Sequence, residues 1–92
     1  MILVPLEFKE MCTRFQLASL SYHGSPEAMI ASVLKRSGDQ RKKVIKEFLS
    51  DLLSGKYDNE EISAIWNSAG SDFLFQSHED LFLFLGMIQE RT

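Results

Sequence analysis

Apolar side chains recur every three to four residues along most of this chain, and each run is bracketed by residues that start or stop helices. An α-helix turns once in about 3.6 residues, so this spacing gathers the apolar side chains onto one stripe per helix. The longest stripe is Val44, Ile45, Phe48, Leu49, Leu52 and Leu53. It predicts a helix over residues 40–54, capped by Asp39 and closed by Gly55 in the left-handed conformation. Phe8, Met11, Cys12 and Phe15, with Ala18 and Ser19 beyond them, predict a first helix over residues 6–20. Residues 21–24 read as a loop. Ser25 then caps a second helix that carries Pro26 at its first position, where a missing N–H costs nothing, and buries Met29, Ile30, Val33 and Leu34.

Asp58-Asn59-Glu60-Glu61 has the form of a capping box with acids at both positions. It opens a fourth helix with Ile62, Ile65, Trp66 and Ala69 on its inner stripe and Gly70 as its stop. Ser77 caps a fifth helix whose body, residues 81–88, is apolar almost all round and therefore reads as central and buried. Only Phe73-Leu74-Phe75 reads as a short extended piece, and it has no obvious pairing partner. The expected fold is all-α: four to five short helices in one compact, bundle-like domain over residues 1–92.

Ninety-two residues exclude a two-domain enzyme, and 45% hydrophobic with 25% charged side chains excludes global disorder. The N-terminal residues lack the basic and apolar regions of a signal peptide. No apolar run approaches the roughly 20 residues of a membrane span. A single cysteine, Cys12, rules out an internal disulfide. These features predict a soluble cytoplasmic protein that makes no use of a membrane.

The formal net charge of −3 conceals an asymmetry. Residues 1–46 carry eight basic and four acidic side chains, a balance of +4, whereas residues 47–92 carry two basic and nine acidic ones, a balance of −7. Acids at helix N-termini are favoured by the macrodipole, which accounts for each cluster singly. It does not account for their sum, with no basic residue between Lys56 and Arg91 to offset them. A surface of this kind steers a basic partner.

Catalytic and metal chemistries find little support. Cys12 lies on the apolar stripe of the first helix, where a thiol behaves as a small hydrophobe. Cys12, His23 and His78 are too scattered for a zinc site, and no glycine-rich phosphate loop occurs. The expectation is a protein that is not an enzyme and holds no cofactor or metal. Arg41, Lys42, Lys43 and Lys46, with Lys35 and Arg36, form a basic cluster, but the pI is about 5.3 and no nucleic-acid motif accompanies it. It is read as a solvated helix face rather than a nucleic-acid site.

The C-terminal half carries a family likeness. Leu52-Leu53-Ser54-Gly55-Lys56-Tyr57-Asp58-Asn59-Glu60-Glu61-Ile62, then Ile65-Trp66, Ser71-Asp72-Phe73-Leu74-Phe75, and Asp80-Leu81-Phe82-Leu83-Phe84-Leu85 with Ile88 resemble small immunity proteins of bacterial contact-dependent growth inhibition systems. The likeness covers roughly residues 48–90; nearer the N-terminus, Tyr22-His23-Gly24-Ser25 is the closest equivalent of an aromatic-histidine segment. It implies a cytoplasmic antitoxin that binds the delivered toxin domain of its own system, commonly a nuclease with a basic cleft. Charge pattern and position nominate Asp58, Glu60, Glu61, Asp72, Glu79 and Asp80 for electrostatic contact, with Tyr22 and Phe75 as aromatic anchors. The free protein is expected to be a monomer that forms a 1:1 complex. The alternative is a helical adaptor, or a small regulatory subunit of a larger complex.

Overall fold

The computed structural model describes residues 4–16, 21–71, 73, 75 and 77–92. The described residues are helical, with no strand among them. Five helices are α1 (Leu6–Thr13), α2 (Pro26–Lys35), α3 (Gly38–Leu52), α4 (Asn59–Ser68) and α5 (His78–Arg91). Residues 21–23 are helical as well, which corrects the loop expected there. Phe73 and Phe75 lie outside any helix or strand, and Leu74 lies outside the described residues.

α1 stops well short of the expected end. Arg14 donates its amide to the Met11 carbonyl at 3.0 Å and Phe15 to that of Cys12 at 3.1 Å, tightening the last turn into three-residue closures. The Thr13 hydroxyl and Gln16 amide also donate to nearby carbonyls, of Glu10 and Thr13 respectively, and such local bonds compete with helix propagation. Beyond α1, Phe15 is fully buried, and its carbonyl accepts the Ser71 hydroxyl at 3.1 Å. Tertiary contact therefore continues the apolar stripe where the helix does not. Ala18 and Ser19 lie outside the described residues.

Three caps form as their local sequence requires. The side chains of Ser25, Asp58 and Ser77 accept the amides of Ala28, Glu61 and Asp80 at 3.2, 2.8 and 3.2 Å. The cap of α3 differs from expectation. α2 runs almost directly into α3 through Gly38, whose φ of +77° turns the chain. Asp39 falls in the first turn of α3, and Ser37, at the cap position, instead donates its hydroxyl back to the Val33 carbonyl at 3.1 Å. α3 consequently begins and ends two residues earlier than its stripe suggests.

α5 is central: it packs against α2, α3 and α4, while α1 and α2 also lie on α3. The core holds Phe8, Met11, Cys12 and Phe15, the inner faces of α2, α3 and α4, and Leu81, Phe84, Leu85 and Ile88 of α5. α5 is nevertheless not buried all round. Leu83 is 69% exposed, and Phe82 and Met87 are half-buried. Around Trp66 the rings of Phe15, Phe73, Phe75 and Phe84 form one aromatic cluster, with centroid separations of 5.3 to 6.3 Å. Its only polar hook is the indole N–H of Trp66, which donates to the Phe73 carbonyl at 2.9 Å.

Candidate functional site

The candidate site lies where the middle of α4 meets the first turn of α5. Asp58 caps α4 and places Glu60 and Glu61 in its first turn; Ser77 caps α5 and places Glu79 and Asp80 in its first turn. The Ser63 hydroxyl and the His78 imidazole Nδ1 are 2.8 Å apart and join the two helices. Ser63 follows Glu60 by three residues and so shares its helix face. The bond therefore ties the Glu60 face of α4 to the start of α5.

Asp58, Glu60, Glu61, Glu79 and Asp80 are all exposed. The ion pairs among the described residues are Arg41 with Glu10 and Lys56 with Asp51. None of the five acids takes part in an ion pair among the described residues. Asp72, the sixth acid nominated, lies outside the described residues.

Between α4 and α5 sits a small cleft of about 230 Å³, lined by Ser63, Trp66, Asn67, Phe75, Ser77, His78 and Leu81. Phe75, nominated as an exposed anchor from its position in an irregular segment, is half-buried instead. Its ring lies 5.7 Å from Trp66 and 5.4 Å from Phe84, half-buried against the core, and it lines the cleft. Tyr22 is 86% exposed, but it lines a separate cleft with Arg14, His23 and Arg36. The cleft joins the middle of α4 to the start of α5, Glu61 lines a different hollow with Val4, Ala64, Ile65 and Ser68, and Tyr22 lies in separate, cationic surroundings.

Ser63, Asn67 and His78 are the site residues that sequence reading passed over. Ser63 and Asn67 stand four apart on the polar side of α4, a spacing that marks a shared face. Nothing in the sequence pairs that face with the start of α5, because no periodic pattern spans residues 69–77.

Cys12 is buried, and desolvation pushes its thiol far above the ordinary value, leaving it protonated. Among the described residues no group of three or more His, Cys, Asp or Glu is placed to hold a metal ion, and no helix is long and apolar enough to cross a membrane. The basic cluster lies on α2 and α3: Lys35, Arg36, Arg41, Lys43 and Lys46 are exposed and Lys42 half-buried.

No family model, curated protein or solved structure matches this chain.

Proposed function

We propose that this chain is a cytoplasmic immunity protein, which binds the toxin domain of a contact-dependent growth inhibition system and neutralises it stoichiometrically. The observation that carries the reading is the pair of exposed acidic turns on α4 and α5, joined through Ser63 and His78 and free of cation partners among the described residues. A nuclease cleft is basic because it must attract phosphates. An acidic surface on a rigid helical scaffold competes for that cleft, and the charge match accelerates encounter. Half-buried Phe75 and the cleft beside it give the partner an apolar foothold between the charges.

The rival reading, a helical adaptor that docks through an apolar face, has less behind it. The large apolar side chains exposed among the described residues are Leu6, Tyr22 and Leu83, one each on α1, residues 21–23 and α5. Single exposed apolar residues are ordinary on protein surfaces.

The deciding experiment co-expresses the toxin domain encoded beside this chain, with and without the chain, and measures cell survival and complex formation. Survival with a 1:1 complex is expected. Continued killing, with no complex isolated, would falsify the immunity reading.

A further inference from the structure

The larger cleft has the opposite character to the acidic turns. It is an open groove of about 570 Å³ between the end of α1, residues 22–23 and α2, within the roughly 300–1,000 Å³ typical of small-ligand sites. Arg14 comes from just past α1 and Arg36 from just past α2, with His23 and Tyr22 between them in sequence. No carboxylate lines the cleft among the described residues, although the chain holds 13 acids against 10 bases. Neither arginine belongs to an ion pair there, and both are exposed. Ser32 adds a hydroxyl with no hydrogen-bond partner among the described residues. The Tyr22 ring meets His23 edge-on, at 5.1 Å and 88°, and is 86% exposed. At that exposure most of the Tyr22 ring is accessible to a further planar group.

We infer that this cleft binds a phosphorylated ligand carrying a planar ring, of the size of a nucleoside monophosphate. Two guanidinium forks suit a phosphate dianion, whereas a single carboxylate needs only one of them. A phosphate alone leaves the open face of Tyr22 unused; a base or comparable ring stacks on it. The inference is independent of toxin binding, and either can fail while the other stands.

Amide NMR titrations of the free protein at low salt test it, with adenosine monophosphate, adenosine and inorganic phosphate as probes. Saturable binding of adenosine monophosphate, tighter than either other probe, is expected, with shifts centred on Arg14, Tyr22, His23 and Arg36. R14Q and R36Q each weaken it by about tenfold or more. Y22A reduces it to the affinity of inorganic phosphate. All three side chains are exposed, so the variants retain the helical spectrum of the parent. Should one unfold, the three probes on the parent still decide the matter. Affinity for adenosine monophosphate no greater than for phosphate overturns the inference. So does tighter binding of a glutamate-rich peptide, or of a single-stranded oligonucleotide with shifts spreading to Lys42 and Lys43.

Discussion

Trp66 shows how a single side chain joins an irregular segment to the helices. Its ring is 2% exposed, and its N–H donates to the Phe73 carbonyl at 2.9 Å. The Phe73 amide in turn donates to the Ser71 hydroxyl oxygen, and that hydroxyl donates to the Phe15 carbonyl, both at 3.1 Å. Replacing Trp66 with Phe removes the donor and leaves a buried carbonyl short of its partner, a loss of about 1–3 kcal/mol, while the smaller ring adds a void. Urea unfolding followed by circular dichroism should show the W66F midpoint well below that of the parent; an unchanged midpoint would mean that this bond contributes nothing. The core position of Trp66 was legible from its register with Ile62, Ile65 and Ala69. Its hydrogen-bond partner was not, because that depends on where residues 71–75 run. Asp51 makes a different kind of link. Its carboxylate accepts from Lys56 Nζ at 2.9 Å and from the Tyr57 hydroxyl at 3.0 Å, fastening the turn after α3. The bond from Lys56, then that from Tyr57, holds the Asp51 carboxyl below the ordinary carboxylate range, and the same bonds raise Lys56 and Tyr57. A lowered acid stabilises the fold above its unfolded pKa and ceases to do so as pH falls through its folded one. The raised Lys56 and Tyr57 lose their contribution as pH climbs through their folded values. D51N is therefore expected to lower the melting temperature slightly at neutral pH, since the pair is solvent-screened, and to melt with the parent once pH falls below the lowered folded pKa of Asp51. A constant difference across that range would show that Asp51 acts through something other than its charge.

Helix starts are local events and helix ends often are not. Ser25, Asp58 and Ser77 each satisfy an orphan amide three residues on, so a few adjacent residues suffice to locate them. S25A, D58A and S77A should each cost about 1 kcal/mol in urea unfolding. A cap whose loss is neutral would belong to a helix held entirely by packing. The end of α1 and the start of α3 escaped sequence reading for physical reasons. Phe15 keeps the register of the stripe while leaving the helix, since burial constrains the side chain and not the backbone. At α3 the positive φ of Gly38 lets one helix follow another with almost no linker, so Asp39 never occupies the cap position. Gly70 marks a comparable constraint: at φ +98°, an added Cβ would meet Thr13 Cγ2 at 3.1 Å, at the close approach of α4's end to α1's. α5 is the element where composition misled. Residues 81–88 read as apolar on every side, yet Leu83 is 69% exposed while Leu85 is 1% exposed. L85A should cost about 2–5 kcal/mol, and L83K should stay within about 0.5 kcal/mol of the parent. Equal losses at both positions would place a covering partner over Leu83.

At the scale of the whole molecule, the division between a basic and an acidic half is plain in the sequence, but its spatial consequence is not. Folding could have interleaved the two halves and cancelled their fields. Instead Arg41 reaches Glu10 of α1 and Lys56 reaches Asp51 at the end of α3, which leaves Asp58, Glu60, Glu61, Glu79 and Asp80 unpaired among the described residues. The contact between Ser63 and His78, 15 residues apart in the chain, then joins the Glu60 face of α4 to the start of α5, something no spacing rule could show. Charge reversal is a blunt test of such a surface, because a lysine in a helix's first turn also opposes the macrodipole. Neutral isosteres separate recognition from stability. With the toxin domain as partner, combined E60Q, E61Q, E79Q and D80N should slow association about tenfold or more at low salt. The slowing should shrink as added salt shortens the screening length to below about 10 Å, because the field acts during approach rather than in the docked state. Dissociation should change less than association. Neutralising the other face, with K42Q and K43Q, should leave the association rate unchanged or slightly raise it, as removing cations strengthens the net negative field. Equal slowing by both sets of substitutions would show that the toxin responds to α3 as much as to α4 and α5, and the acidic turns would lose their role as the steering surface.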